Sequence, residues 1–297
     1  MTQTINYDDL FQKQCVTNWD QLMDFYRALR GKDKQWLFRG QTNAEWGLET
    51  TLERLARRFS VDFSELSKIE RGIIRKFQRE AYLYIANPPK EEDDNSPQKE
   101  DLMQWLALIQ HHGAPTRLLD WTYSFFVAMY FALETAKPES SCAIWMVDYE
   151  WLRERIKESV SDDIQSLIEE DEDLKKTETV KSILHNSPPN TTVCRINPFH
   201  LNQRLVLQQG TFLAPGDVTK SFMDNFYGLC NSGTSREHFV KIILHTDLPL
   251  MKKAISELHR MNINRSTLFP GIDGFAKSLG NSVVIPEVVV TYGLTGQ

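Results

Sequence analysis

The sequence predicts an α+β fold in which a mixed, mainly antiparallel sheet is packed by several helices. Two observations support this class. Some segments repeat apolar residues at helical spacing, whereas others are short apolar or β-branched runs flanked by glycine or proline. These segments show no regular βαβ alternation, no internal repeat and no Gly-x-Gly-x-x-Gly motif. A doubly wound dinucleotide-binding domain is therefore disfavoured.

Helices are predicted where apolar side chains recur every three to four residues. A helix over residues 17–29 begins behind a Thr-Asn pair, and a helix over 63–86 is stopped by Pro88 and Pro89. Further helices are predicted over residues 101–112, 123–136, 249–260 and 271–279. The acidic segment up to about residue 190 is predicted to be a helical hairpin or a loop.

Strands are predicted for short runs rich in apolar and β-branched residues. They cover residues 35–38, 142–147, 205–207, 211–213, 240–244 and 283–290. One domain is expected over residues 1–297, with its core at about 17–290. Charged surface insertions are expected at about 88–100 and 158–190, and the apolar-free residues 90–100 read as a mobile surface loop.

Composition and charge limit the function classes. The 297 residues are 41% hydrophobic, no run of about 18 apolar residues predicts a membrane span, and the N-terminus lacks the features of a secretory signal, so a cytoplasmic protein is expected. A net charge of −6 gives no general attraction to nucleic acid or an anionic membrane. Much of the acidic excess lies in residues 91–94 and 161–178. A local basic pocket for a phosphate-bearing small ligand is therefore compatible with the sequence.

The first candidate site is the segment from Trp36 to Gln41. Arg39 stands at the end of a hydrophobic strand, beside Gly40, which lets a ligand or another chain approach the backbone. A guanidinium in this position can hold a phosphate or a carboxylate through two parallel hydrogen bonds. The alternative is that Arg39 pairs with an internal carboxylate and is structural.

The second candidate site lies between two predicted helices and concentrates polar residues in one turn. Its candidate residues are His111, Thr116, Arg117, Asp120, Trp121 and Thr122. Such a concentration of titratable groups indicates a pocket. Structural alternatives stay open: Arg117 and Asp120 pair with each other, or one histidine caps the preceding helix. Adjacent histidines do not point the same way on a helix, so no metal site is expected.

The third candidate site contains Gln208 and Gln209 between two apolar stretches. One of the two side chains is expected to face inward, where it needs hydrogen-bond partners. A glutamine can bind a ribose hydroxyl or a base edge, but it cannot act as a general acid or base at neutral pH.

A set of short motifs follows in a fixed order along the chain. They are Phe38-Arg39-Gly40, then His111-x-Gly113-x-Pro115-Thr116-Arg117-Leu118-Leu119-Asp120-Trp121-Thr122, then Gln209-Gly210-x-Phe212, then Leu268-Phe269-Pro270 with Asp273-Gly274. This combination resembles the FRG-domain family, over about residues 17–280.

The motif order also resembles, more distantly, the ADP-ribosyltransferase fold. Members of that superfamily carry an Arg-Gly at the end of the first core strand, a Ser/Thr segment leading into an Ala-x-x-Phe-Ala helix, and a catalytic Glu. The matching positions are Arg39-Gly40, Thr122-Tyr123-Ser124 and Ala128-x-x-Phe131-Ala132, with Gln209 in place of the Glu. An uncharged amide would stabilise an oxocarbenium-like ribose poorly.

This resemblance implies NAD as a substrate. It places Arg39 on the pyrophosphate, Thr122 and Ser124 on the nicotinamide ribose, and Gln209 on the 2′-hydroxyl, with Asp120 or Glu134 supplying the missing negative charge. The catalytic candidates are then Arg39, His111, Asp120 and Gln209. The candidate ligand-binding residues are Gln41, Thr116, Arg117, Trp121, Thr122, Ser124 and Gln208.

Three functions stay open at this point. The first is NAD-dependent ADP-ribosyl transfer, to a protein or nucleic-acid acceptor, or NAD hydrolysis. The second is a non-catalytic module that binds a nucleotide or modified nucleotide, which Gln209 favours. The third is an interaction protein whose motifs are mostly structural. For the first two, Arg39, His111, Thr116, Arg117, Asp120 and Gln209 are expected to converge on one cavity, because each is costly to bury without a partner.

Overall fold

A seven-stranded mixed sheet forms the centre of the computed structural model, which describes residues 6–30, 34–85, 89, 102–170, 177–198, 202–230 and 235–280. The strands are β1 (Gln12–Val16), β2 (Trp36–Gln41), β3 (Leu119–Thr122), β4 (Ser141–Asp148), β5 (Val193–Ile196), β6 (Gly210–Pro215) and β7 (Phe239–His245). They lie in the order β1-β7-β4-β2-β3-β6-β5. Within the sheet, β1 and β7 are parallel and the other neighbours are antiparallel. The predicted α+β class with a mainly antiparallel sheet is confirmed.

Helices pack around this sheet. They are α1 (Trp19–Arg30), α2 (Thr51–Arg58), α3 (Leu66–Glu80), α4 (Leu102–His111), α5 (Phe125–Leu133), α6 (Tyr149–Ser159), α7 (Asp162–Glu169), α8 (Thr177–Leu184), α9 (Gln203–Leu207), α10 (Phe222–Leu229), α11 (Leu248–Arg260), α12 (Arg265–Leu268) and α13 (Ile272–Ser278). The periodic segments correspond to α1, α3, α4, α5, α11 and α13. Across the described ranges, no helix is both long enough and apolar enough to cross a membrane.

The predicted strand over residues 205–207 is wrong, because this segment forms α9. The Asn202 side chain accepts a hydrogen bond from the Leu205 N–H and so caps the helix at its start. Leu205 is buried, whereas Val206 and Leu207 are exposed, so the short apolar run has one buried position rather than a buried strand face. A run of this length does not distinguish a strand from a helix by periodicity.

Two of the predicted segments lie outside the described residues. These are the surface loop over 90–100 and the strand over 283–290. The acidic segment that was expected as an insertion at about 158–190 contains α7 and α8. Apolar side chains of both helices, among them Ile168 and Ile183, are fully buried in the core.

The sheet separates two hydrophobic cores because successive side chains of a strand point to opposite faces. On β2 and β4, Phe38 and Ile144 lie in the core formed with α1, α5 and α11. Leu37 and Trp145 lie in the other core, formed with α4, α6, α7, α8 and α10. This alternation places the Arg39 and Gln41 side chains on the Leu37 face and directs Gly40 towards α5.

The strands β2 and β3 share fewer paired residues than the other neighbouring strands of the sheet. These strands pair at one position, Phe38 with Thr122, whereas β2 pairs with β4 over six residues and β3 pairs with β6 over four. Beyond Phe38 the end of β2 and the start of β3 separate. The two strands leave a gap at the centre of the sheet.

Gly40 brings β2 into direct contact with the backbone of α5. A Cβ at this position would overlap the backbone oxygen of Ala128 and the backbone nitrogen of Ala132. Ala128 and Ala132 are themselves fully buried, so small residues on both sides allow the close approach. The backbone that approaches this glycine is therefore that of the chain's own helix.

We predict that Gly40→Ala destabilises the protein by about 1–3 kcal/mol, because α5 has to move away from the sheet. Gly72→Ala is the matched control, since Gly72 lies inside α3 with open space around its Cβ position. That substitution should stabilise the protein by about 0.5–1 kcal/mol. Denaturant unfolding of both variants measures the difference, and wild-type stability of Gly40→Ala would contradict the close contact.

Candidate functional site

The gap between β2 and β3 holds a cavity of about 290 Å³, called here the first cavity. The strand ends, the segment that leads to α2, and helices α5 and α9 surround it. Its lining residues are Phe38, Arg39, Gly40, Gln41, Thr42, Trp46, Arg54, Asp120, Trp121, Thr122, Phe131, Arg204 and Gln208.

Arg39 spans the gap. Its Nη1 donates a hydrogen bond to the Asp120 backbone carbonyl at 2.6 Å, at a place where the sheet has no ladder hydrogen bond. Its Nε is buried and has no partner. No carboxylate of the described residues lies within ion-pairing distance of Arg39. Burial lowers the pKa of Arg39 to about 10, and the nearby Asp120 carboxylate partly opposes this, so the guanidinium is charged at neutral pH.

The first cavity has more positive than negative groups among the described residues. Arg54 and Arg204 line it together with Arg39, and Asp120 is the carboxylate that faces them. The Arg204 guanidinium lies 4.6 Å from the centre of the Phe269 ring, and burial lowers the pKa of Arg204. The Asp120 carboxylate accepts a hydrogen bond from Gln110 Nε2 at 3.0 Å.

Two buried donors at this cavity have no partner. One is Arg39 Nε and the other is Trp121 Nε1, whose side chain is only 3% exposed. A buried N–H without an acceptor is costly, so both donors lower the stability of the unliganded site. The excess of guanidinium groups over carboxylates makes the cavity suited to an anion.

Trp46 forms an exposed wall of the first cavity and is 53% exposed. Its loop is fixed by backbone and side-chain contacts. The Ala44 N–H donates to the Ser141 carbonyl at 2.8 Å, and Gln41 Nε2 donates to the Gly47 carbonyl at 2.9 Å. The backbone of this loop is therefore fixed, and the indole surface stays accessible.

Two further cavities adjoin the first one. A small cavity of about 70 Å³ shares Asp120, Arg204 and Gln208 with it. The second cavity, of about 380 Å³, is lined by His111, Asn202, Gln203, Arg204, Arg265, Phe269, Pro270, Asp273, Gly274 and Lys277. Arg204 lines all three cavities. We refer to the three together as the groove.

His111 lies at the end of α4 and lines the small and the second cavities. Burial lowers the pKa of His111, and the neighbouring His112 and Arg204 lower it further. The imidazole is therefore neutral at pH 7 and can donate or accept a hydrogen bond, but it adds no positive charge there.

The structure places most candidate residues at the groove, but several of their polar groups already form hydrogen bonds within the protein. Arg39, Gln41, Asp120, Trp121, Thr122 and Gln208 line the first cavity. The Gln41 amide donates to the Gly47 carbonyl and accepts from Trp145 Nε1 at 2.6 Å. The Thr122 hydroxyl donates to the Gln208 carbonyl, and the Ser124 hydroxyl caps α5 by accepting from the Val127 N–H.

Three of the residues expected to converge line none of these cavities. Arg117 is buried against Glu70, with a further hydrogen bond to the Leu184 carbonyl, so the alternative pairing of Arg117 with Asp120 is not what forms. The Thr116 hydroxyl donates to the Gln110 side chain at 2.7 Å. Gln209 is exposed and adopts a positive φ of 45°, where the chain turns from α9 into β6.

Several groove residues were not identified from the sequence, among them Arg204, Arg54 and Trp46. Arg204 lies just before the predicted strand over residues 205–207, and a strand there gives no reason to direct this side chain towards Asp120. Arg54 lies on the exposed face of α2, where an arginine is ordinary. Trp46 gives the one usable signal, because a tryptophan in a polar loop has no predicted core to enter.

Residues 34–141 match the family model described as FRG domain. The matched segment runs from β2 to the start of β4 and includes Arg39, Trp46, Arg54 and Asp120 of the first cavity. Arg204 and nearly all of the second cavity lie after it. Neither a curated protein nor a solved structure matches the chain. In the described ranges, no group of three or more His, Cys, Asp and Glu side chains is arranged to hold a metal ion.

We predict that Glu70→Ala destabilises the protein by about 3–5 kcal/mol, because it leaves the Arg117 charge buried without its partner. Glu65→Ala, at an exposed position just before α3, is the control and should change stability by less than about 0.5 kcal/mol. Denaturant unfolding measures both. Equal stability of the two variants would mean that Arg117 does not depend on Glu70.

We predict that His111 makes the protein less stable on acidification. Its pKa is lower in the folded than in the unfolded chain, where it is about 6.5. As the pH falls through that value, the unfolded chain takes up the proton first and stability is lost. When the pH is lowered from 7.5 to 5.5, the free energy of unfolding should therefore decrease less for His111→Gln than for the wild type. Parallel profiles would contradict this linkage.

Proposed function

We propose that the first cavity binds a phosphate-bearing ligand of the nucleotide type, with Arg39 as the main phosphate contact. The observation that carries the proposal is the position of the Arg39 guanidinium. It is half-buried in the gap between β2 and β3 and donates a hydrogen bond to a backbone carbonyl. It has no ion-pair partner among the described carboxylates. A phosphate supplies both the missing charge and the two acceptors that match a guanidinium.

The other groups of the cavity fit the remaining parts of a nucleotide. The accessible Trp46 ring offers a flat surface on which a base can stack. Arg54 and Arg204 add positive charge beside Arg39. The Gln208 amide donates to the Leu268 carbonyl, which fixes its orientation at the cavity wall.

Binding without turnover agrees better with the contacts than ADP-ribosyl transfer does. The Thr122 and Ser124 hydroxyls, which would orient the nicotinamide ribose, are both engaged within the protein. Gln209 is exposed and outside the cavity. Glu134 is bound to Arg265 and accepts from the Tyr130 hydroxyl at 2.9 Å. Four side chains that the transfer mechanism would use, those of Thr122, Ser124, Gln209 and Glu134, are thus occupied or displaced.

One observation keeps NAD hydrolysis or ADP-ribosyl transfer as a second candidate. Asp120 is a carboxylate at the wall of the first cavity, beside Arg39 and held by Gln110. A carboxylate at such a position can stabilise positive charge that develops on a ribose as its base departs. This candidate therefore rests on Asp120 alone.

The test uses the full chain with 5′-AMP, ADP-ribose and NAD in separate samples. Thermal unfolding is recorded with each ligand, and nicotinamide is quantified in the NAD sample. We expect stabilisation without nicotinamide release, of about 2.7 kcal/mol at a ligand concentration of one hundred times Kd. Release of nicotinamide that is lost in Asp120→Asn would establish the enzyme instead. No stabilisation by any of the three ligands would overturn the proposed function.

We predict that Arg39→Lys weakens AMP binding by about tenfold or more, because lysine keeps the charge but lacks the planar fork. Stability should fall by about 0.5–1.5 kcal/mol, for the lost hydrogen bond to the Asp120 carbonyl. Arg58→Lys on the exposed surface of α2 is the control and should change neither quantity. A stability loss of about 3–5 kcal/mol in step with binding would make Arg39 structural. Undiminished binding would remove Arg39 from the site.

A further inference from the structure

The groove extends beyond the space that a single nucleotide phosphate would use. The second cavity, at about 380 Å³, is larger than the first, and Arg204 forms a wall of both. It also contains its own cations, Arg265 and Lys277, facing one carboxylate, Asp273. The cavity around Arg39 is therefore one end of a longer site.

We infer that the groove binds single-stranded, phosphate-linked nucleotides of two or more units, with a second phosphate subsite in the second cavity. This inference rests on the proposed function, because it extends the ligand that Arg39 would hold. Arg39 contacts the 5′-phosphate, and Arg204 and Lys277 both contact the phosphate that links the first unit to the next one.

The cations of the second cavity are unequally engaged. Arg265 is already paired with Glu134. Arg204 and Lys277 have no carboxylate of the described residues within ion-pairing distance. Arg204 is half-buried over the Phe269 ring, so its charge has an aromatic face on one side and the cavity on the other. These two are the cations free to contact an anion.

The distribution of charge points to a polyanion. The whole chain has a formal net charge of −6, yet five cationic side chains and only two carboxylates of the described residues line the groove. An exposed tryptophan, Trp46, lines the first cavity, and Phe269, which lies against Arg204, lines the second. A basic groove with aromatic side chains along it is typical of proteins that bind single-stranded nucleic acid.

The shape of the groove favours one strand over two. The small cavity between the main ones measures about 70 Å³ and is bounded by Gln110, Asp120, Arg204 and Phe212. The junction between the two main cavities is therefore narrow. A narrow junction favours a single strand over the greater width of a duplex.

The test compares ligands that fill one or both subsites. Equilibrium binding to the full chain is measured with 5′-AMP, with the 5′-phosphorylated dinucleotide pApA, and with a blunt DNA duplex of ten base pairs, at several salt concentrations. Lys277→Gln removes the outer cation. Lys252→Gln, at an exposed position on α11 outside the groove, is the matched control.

We expect pApA to bind more tightly than AMP to the wild-type chain. Lys277→Gln should weaken pApA binding by about three- to tenfold and reduce the slope of log K against log salt by about 0.7, the value for one lost phosphate contact on a single strand. The same variant should leave AMP binding unchanged, and Lys252→Gln should change neither ligand.

Three other outcomes would count against the inference. Equal affinity for AMP and pApA, with no effect of Lys277→Gln, would overturn the second subsite but leave the proposed function intact. Tighter binding of the duplex than of pApA would overturn the single-strand specificity. Failure of AMP and pApA to bind at all would overturn the proposed function together with this extension of it.

Discussion

The single backbone pair between Phe38 and Thr122 is the constraint on which the site depends. It joins the strands β1, β7, β4 and β2 to the strands β3, β6 and β5, and the cavity opens directly beyond it. A longer ladder would close the sheet and leave no space. The Arg39 guanidinium replaces part of the missing ladder by donating to the Asp120 carbonyl. Gly40 allows α5 to hold the end of β2 in place. The three residues of the Phe-Arg-Gly motif thus have different physical roles at one position of the fold.

Three arginines of this protein show how the group that a guanidinium contacts determines whether the arginine is structural or available to a ligand. Arg117 has its counter-charge, Glu70, and three backbone carbonyls as acceptors, so the fold satisfies it and it needs no ligand. Arg39 is hydrogen-bonded to a carbonyl but has no counter-charge within ion-pairing distance among the described residues, and Arg204 lies over an aromatic ring. Burial without an opposite charge is costly, and for Arg39 and Arg204 it lowers the pKa. Arg39 and Arg204 both line the groove, whereas Arg117 does not.

The sequence pattern predicted the helices and strands that bury a periodic apolar face, such as α1, α11 and β4. It did not predict the elements whose burial depends on residues far away in the sequence. The edge strand β1 has four residues that are not buried and a single buried one at its end, so it shows no alternation. The strand β3 is four residues long and lies within a motif that reads as a polar turn. The motifs identified Arg39 and Asp120, but they also suggested Arg117. Its partner Glu70 lies 47 positions away, and no local pattern reports that contact.

The two adjacent glutamines illustrate why the chemistry of the site follows from backbone geometry rather than from motif alignment. Gln208 ends α9 with its side chain at the cavity, whereas the positive φ of Gln209 turns the chain and leaves that side chain exposed. The residue aligned with a catalytic glutamate is therefore not the one that faces the cavity.

The negative charge at the cavity comes instead from Asp120, on another strand, where it moderates the buried charges of Arg39 and Arg204. Because a bound phosphate would compete with Asp120 for the same guanidinium groups, this carboxylate limits how tightly a mononucleotide can bind. Additional affinity would then have to come from contacts further along the groove.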